Sequence, residues 1–387
     1  MTQARNLSLF ADNVSSSGTV AVAGINATGT PSSSTYLRGD GTWTTAGSPP
    51  GGSTTQIQYN NAGAFAGSAN LTFDGTNVQV ANSLKSANTF GFKNRIINGG
   101  MVIDQRNAGA SVTPAGGNYT LDRWTFQLSQ SSKLTCQQNA GSVTPPAGFT
   151  NYLGITSSSA YSIGAGDFFS VRQVIEGFNI ADLNFGSANA KTVTLSFWVR
   201  SSLTGTFGGV LTNSNYTRSY PFTYTISSAN TWEQKSITIA GDTTGTWATN
   251  NAAGLNVEFG LGIGSTYSGT AGAWSSSAYD SATGATSVVG TNGATFYITG
   301  VQLEVGSQAT SFDYRSIGTE LALCQRYCTV FGTPSLNQSV HLGTGSMYTG
   351  TAVNISVALP VSMRTTPTIS KTVNGSSVWL QVYIGSS

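Results

Sequence analysis

Residues 192–200 read TVTLSFWVR, with apolar side chains at every second position. Val193, Leu195, Phe197 and Val199 fall on one face; Thr194, Ser196 and Trp198 fall on the other. A period of two is the signature of a strand with one face against a core. Working outward, GLNVEFGLG (254–262) repeats the pattern with Leu255, Val257, Phe259 and Leu261. SYPFTYTISSANTWEQKSITIA (219–240) reads as two strands around a Ser-Ala-Asn turn. In ATFYITGVQLEV (294–305) the parity shifts at Thr299-Gly300: Phe296 and Ile298 precede it, and Val301, Leu303 and Val305 follow. A β-bulge there keeps both halves facing one core. Several such strands predict an antiparallel sandwich over 94–315.

The rest of the composition suits an all-β protein. Charged residues make up 8% of the 387, against roughly a quarter in ordinary soluble domains. Ser, Thr, Asn and Gln stand in their place, and aromatics reach 10%, too many for a disordered chain. A net charge of +2 with no basic run speaks against nucleic acid as a partner. No apolar stretch approaches the length of about 20 residues that a membrane helix needs. MTQARNLSLFADN has no apolar core of a secretory signal, so cytoplasmic synthesis without ordinary export is expected.

Three cysteines cannot all pair. Cys324 and Cys328 are four apart in a predicted helix, a spacing that does not suit a bridge, and Cys136 is distant in sequence. Buried thiols are the expectation. The single histidine, His341, excludes most Ser-His-Asp, Cys-His and multi-His metal sites within one chain.

Residues 1–93 differ in texture. Short β-like runs, GTVAVAGI, TQIQY and NVQV, alternate with Gly/Ser/Asn/Pro clusters. RGDGTW (38–43) begins with an integrin-like tripeptide, but Gly39, Asp40 and Gly41 form a turn signal. Units this short cannot offset the entropy of ordering them alone, so copies of the same chain are expected to complete them. At the other end, SIGTELALCQRYCTVF (316–331) is the one clear helix, with Ser316 as N-cap. Its seam of Ile317, Leu321, Cys324 and Cys328 fits either a helix laid on the sandwich or a three-stranded bundle on a symmetry axis. Thr/Val-rich strands follow to Ser387.

Two units, GTPSSSTYLRGDGTW (29–43) and GGSTTQIQYNNAGAFAGSANLTFDGTN (51–77), resemble shaft repeats of tailed-bacteriophage tail fibres. NRIINGGMVIDQRNAG (94–109), LDRWTF (121–126) and YITGVQLEVGSQATSFDYRSIGTELALCQRY (297–327) resemble the start and finish of a carbohydrate-binding-module-like jelly roll in the same proteins. The resemblance implies an elongated, all-β homotrimeric fibre with an intertwined shaft, carried on the virion tail; the missing signal fits assembly in the host cytoplasm and release by lysis. Residues 1–45 would be the attachment region and first repeat, joined to a tail or baseplate protein, and 46–93 a shaft repeat. Residues 94–315 would form the jelly roll, and 316–387 the helix with a small distal β domain.

The implied activity is adhesion to a host surface glycan of the lipopolysaccharide kind, without chemistry and without a cofactor. A sugar needs an aromatic face and partners for its hydroxyls. The segment GSTYSGTAGAWSSSAYDSATGATSVVGTNG (264–293) supplies Tyr267, Trp274, Tyr279 and Asp280. Loops of that length are functional or mobile more often than not. The same aromatics equally suit anchoring the loop. Trp198, on the polar strand face, and His341, Tyr348 and Trp379, in the distal region, are weaker candidates. A structural Ca²⁺ held by carbonyls and acids suits the composition, though no contiguous ligand loop is present. Two rival functions stand beside adhesion. One is a purely structural collar, whisker or baseplate fibre. The other is a polysaccharide depolymerase, which needs a carboxylate pair. Asp122, Asp167, Glu176, Asp182, Glu233, Glu258 and Glu304 each stand singly in the sequence.

Overall fold

In a computed structural model of the chain, the structure describes residues 3–5, 11–12, 14–18, 27–45, 53–76, 78–80, 92–331, 345–349 and 352–368. Two compact units are present, Met1–Ser86 and Ala87–Ser387.

The first unit is made of short antiparallel ladders. Strands β1 (Thr35–Leu37) and β2 (Trp43–Thr45) form a hairpin. Its turn is the RGDG stretch: Gly41 N–H donates to the Arg38 carbonyl, and Asp40 accepts from the Thr42 N–H and hydroxyl. The tripeptide is therefore a turn. Strands β3 (Gln56–Asn61), β4 (Ala64–Phe73) and β5 (Val78–Val80) form a meander. None of the described residues from 27 to 76 is buried.

The second unit contains the sandwich. Its strands are β6 (Trp124–Leu128), β7 (Leu134–Gln138), β8 (Leu153–Ser157), β9 (Phe168–Glu176) and β10 (Val193–Ser201). There follow β11 (Gly205–Asn213), β12 (Ser219–Ile226), β13 (Glu233–Ile239), β14 (Ala253–Ile263), a short pair β15 (Ser268–Gly269) and β16 (Ser281–Ala282), and β17 (Thr295–Val305). One sheet runs β13-β10-β17-β8-β7 and the other β12-β11-β14-β9-β6, antiparallel throughout. Two five-stranded antiparallel sheets around one core make a jelly-roll-like sandwich.

The alternation read in 192–200 and 254–262 is the core alternation. Val193, Leu195, Phe197 and Val199 of β10 and Leu255, Val257, Phe259 and Leu261 of β14 meet in one buried cluster. Phe197 lies edge-on to Phe259 at 4.9 Å, a geometry aromatic pairs favour. The two strands read in 219–240 are present around their turn. They do not pair with each other: β12 is the edge of one sheet and β13 the edge of the other. The intervening turn crosses the sandwich.

The stretch NRIINGG wraps the sandwich base. Asn94 donates to the Val301 carbonyl and accepts from Ile96 and Leu303 N–H groups. Asn98, at φ 58°, receives the Trp124 indole N–H on its carbonyl. Helix α1 (Ile317–Gln325) is shorter than 316–331, and its Ser316 side chain accepts from the Thr319 N–H as expected of a cap. Cys324 is buried with Ile97 and Ile103, and Leu321 and Tyr327 pack around them. The middle of the expected seam is thus used within the chain, which is the helix-on-sandwich arrangement. A bundle through that seam would have to strip Cys324 from its own sandwich. Beyond the helix, β18 (Gly345–Thr349) pairs with β19 (Ala352–Ile355). The following segment returns to the sandwich: Arg364 N–H donates to the Arg326 carbonyl, and its guanidinium donates to the Asn251 carbonyl. Among the described residues no helix is long and apolar enough to cross a membrane.

Candidate functional site

The site is built on the bulge in β17. Residues Ser196 and Trp198 of β10 oppose Gln302 and Thr299, so an extra residue stands opposite Phe197. Gly300 takes φ +62°, and a Cβ there would lie 2.6 Å from the Phe149 ring and 3.1 Å from that of Trp198. Only glycine lets both rings settle over the bulge. After the bulge, Gln302 and Glu304 point away from the core yet are fully buried, because the segment 306–315 folds back across them. Glu304 accepts from the Thr310 N–H at 2.8 Å and the Thr310 hydroxyl at 2.6 Å. The Gln302 side-chain amide oxygen (Oε1) accepts from the Asp313 N–H at 2.8 Å. These bonds pin the strap, and the pinned strap presents Phe312 and Tyr314.

The result is an aromatic groove on the outer face of the β13-β10-β17 region. Phe149, Phe312 and Tyr314 pack mutually with centroids 4.9–5.6 Å apart. Two residues beyond Phe149, the Asn151 carbonyl accepts from the Thr299 hydroxyl at 2.7 Å. With Trp198 the three rings wall a groove of about 590 Å³ that also takes in Gln234, Lys235, Ser236 and Thr310. Tyr314 is 60% exposed and Trp198 half-buried. Gln234 stands directly opposite Trp198, and Ser236 is one step along the same face. The Lys235 ammonium is paired at 2.6 Å with Glu233, so the groove wall carries little net charge. Exposed ring faces beside an amide and a hydroxyl are the combination that a sugar's apolar face and hydroxyls require.

The long loop is tied to its own chain. Trp274 meets Tyr220, Trp247 and Phe185 at 5.3, 5.5 and 5.9 Å, and its indole N–H donates to the Ala240 carbonyl at 2.7 Å. It clamps the loop to the sandwich. Tyr267 lies edge-on to Phe168 at 5.4 Å, and Tyr279 covers Gly269, where a Cβ would come within 2.3 Å of its ring. Asp280 is 9% exposed. Its carboxyl is pushed up to about 7, first by burial and then by the Glu258 charge, with Arg172 opposing. The four loop residues are thus engaged by their own chain, as anchoring requires. Of the weaker candidates, Trp198 lines the groove and Tyr348 lies on β18; His341 and Trp379 fall outside the described residues.

Sequence reading passed over Phe149, Phe312 and Tyr314, which flank the sandwich in turn-rich segments without strand alternation. It also passed over the cluster beneath the loop. Glu258, fully buried on the outer face of β14, accepts from the Tyr216 hydroxyl at 2.6 Å and the Ser170 hydroxyl at 3.0 Å and faces Arg172 at 3.6 Å. Arg172 also donates to Tyr216. Among the described residues no group of three or more His, Cys, Asp or Glu side chains is placed to hold a metal ion.

No family model matches this chain, and no curated protein matches it. Among solved structures it is similar to the enzymatically active domain of tailspike protein 4 from bacteriophage CBA120, at 13% identity and TM-score 0.32. That match covers 55% of this chain and 21% of the tailspike chain, so only about a fifth of that protein's length is spanned. It is also similar to a family 11 carbohydrate-binding module from Clostridium thermocellum in complex with a β-1,3-1,4-mixed-linked tetrasaccharide. There the identity is 9% and the TM-score 0.27, over 52% of this chain and 98% of the module.

Proposed function

We propose that the chain is a glycan-binding adhesin of the phage tail-fibre kind, working without chemistry. The observation that carries this reading is the groove in which Trp198 stands beside the packed rings of Phe149, Phe312 and Tyr314, with Gln234 and Ser236 within the same wall. The shaft-like repeats of the first 93 residues support the fibre part. In this reading three chains assemble, the N-terminal end joins a tail or baseplate protein, and the sandwich meets the host surface in the virion. Weak single-site affinity is raised by the effective concentration of three copies per fibre.

The acids support binding over catalysis. Asp122 accepts from Gln105, Asp167 from Ser129 and Tyr161, Glu176 from Arg326 and Tyr327, and Asp182 from Arg95. Glu233, Glu258 and Glu304 hold Lys235, Tyr216 and Thr310. Glu258 and Asp280 share one field, but Glu258 has no exposed surface for a substrate to reach. Each of these carboxylates has a structural task.

The test is binding of the labelled full-length chain to a panel of bacterial cells before and after periodate oxidation of their glycans. Binding that periodate abolishes, and that Trp198→Ala weakens by about tenfold or more, is the expected result, since buried Trp anchors dominate such interfaces. Binding indifferent to periodate, or unchanged in Trp198→Ala, would sink the proposal.

A further inference from the structure

The aromatic ridge has a second side. Phe149, Phe312 and Tyr314, which wall the Trp198 groove, also wall a separate cleft of about 270 Å³ toward Gly100, Val102 and Thr150. The two clefts therefore share one partition of three rings whose spacing of 4.9–5.6 Å is on the scale of a single pyranose. Their chemistry differs. The Trp198 side offers an amide and a hydroxyl from Gln234 and Ser236. The far side ends in Asp313, Arg315 and Glu320. Arg315, 11% exposed, lies 3.7 Å from Asp313 and 3.4 Å from Glu320 and donates to the Ile96 carbonyl at 3.1 Å. Its guanidinium is enclosed, and two carboxylates around one cation leave the cleft net negative. The Asp313 carboxylate is the most exposed of the three charged groups, at 30%.

We propose that the two clefts are adjoining subsites for one oligosaccharide chain that crosses the Phe312–Tyr314 ridge. This rests on the adhesin reading above and deepens it. The ligand is then an internal stretch of a surface polysaccharide, since a binder of chain ends would close one side of its platform. The unit in the far cleft is a neutral or amino sugar. Asp313 accepts hydrogen bonds from its hydroxyls or ammonium, and charge-assisted bonds of that kind are the strong ones. An acidic sugar there would meet a net negative wall without a free cation.

Gly100 gives a clean probe of the far cleft. A Cβ there meets nothing nearer than 3.9 Å, where it touches Phe312 and Val102, so a larger side chain is admitted at the cleft without backbone collision. The experiment uses the full-length protein on an array of bacterial surface polysaccharides, with size-fractionated fragments of whichever polysaccharide binds best. Wild-type affinity is expected to rise by about tenfold from the shortest bound fragments to longer ones. Gly100→Phe should abolish that rise while leaving the shortest fragments bound as before. Asp313→Asn, which keeps the shape, should lower affinity severalfold for the long fragments only. Trp198→Ala should weaken fragments of every length. Equal affinity for short and long fragments, untouched by Gly100→Phe and Asp313→Asn but lost in Trp198→Ala, would overturn the two-subsite inference and leave the adhesin standing. Binding unaffected by Trp198→Ala, or no polysaccharide bound by the folded protein, would overturn both.

Discussion

Asp280 shows how far a single residue can be read from its neighbours in sequence. With Tyr279 and Trp274 close by, it suggested a sugar ligand; in the fold its carboxyl is buried, within the field of Glu258 and Arg172. Those partners are distant in sequence, and only the tertiary structure brings them together. A trace of them was nevertheless present. In GLNVEFGLG, Glu258 falls on the face away from the core, and a single acid in so apolar a strand needs a partner. The cluster around it consists of Arg172, Tyr216, Ser170 and Gln127, with the Gln127 amide oxygen turned to accept from Arg172. Arg172 pairs with Glu258, and burial together with the Glu258 charge pushes the Asp280 carboxyl up to about 7. Its pKa is raised in the fold, so the folded state holds a proton that the unfolded chain loses above about pH 4. Stability from this group is complete below that pH, falls as pH rises toward 7, and is then constant. The melting temperature of the wild type should therefore drop by a few degrees between pH 4 and 7 relative to Asp280→Asn. Parallel melting curves for the two proteins would refute the assignment.

At the scale of elements, β17 was legible and the strap that follows it was not. A parity shift in the apolar positions marks a bulge from sequence alone, and Gly300 is the residue that makes it. The strap has no periodicity, because it is held by Gln302 and Glu304 rather than by an apolar face. Two buried polar residues on the solvent side of a strand were the available sign that something lies across them. Glycine hid β11 in the same way: Gly208 and Gly209 break its alternation because Ser281 and Phe222 press against them, at 2.3 and 2.4 Å from where a Cβ would stand. The jelly roll itself could be anticipated from five strands, yet which sheet each joins could not, as β12 and β13 illustrate. Two substitutions test the strap. Glu304→Ala leaves the Thr310 N–H and hydroxyl without their acceptor, at a cost of about 1–3 kcal/mol. Gly300→Ala adds a left-handed penalty of about 1–2 kcal/mol and pushes a methyl into Phe149. At roughly 2–4 °C per kcal/mol for a domain of this size, the melting temperature should fall by about 2–12 °C for Glu304→Ala and about 2–8 °C for Gly300→Ala. Each should also weaken glycan capture more than a matched surface change such as Thr231→Ala. Capture unchanged despite a lower melting temperature would show that the strap does not shape the groove.

On the scale of the whole molecule, the first unit sets the requirement. Its rings lie on the surface: Tyr36, Tyr59, Phe65 and Phe73 are each about half exposed or more. In the β3–β4 ladder Tyr59 pairs with Ala66 and Phe65 with Asn60, which puts Tyr59 and Phe65 on opposite faces of the ribbon. A ribbon with apolar side chains on both faces needs cover on both, and one added copy laid on one face leaves the other wet. Closed assemblies of identical chains supply such cover symmetrically, and three is the smallest ring in which each chain has two different neighbours. The sandwich, by contrast, buries a core of its own. Full-length protein should therefore run at three times the 40.0 kDa chain mass in mass photometry. The double substitution Tyr59→Ser/Phe65→Ser should shift it toward monomer while the near-ultraviolet spectrum of the sandwich aromatics is kept. A monomeric wild type would remove the reason for the first unit to fold at all, and with it the fibre. A trimer indifferent to both substitutions would move the assembly surface elsewhere on the chain.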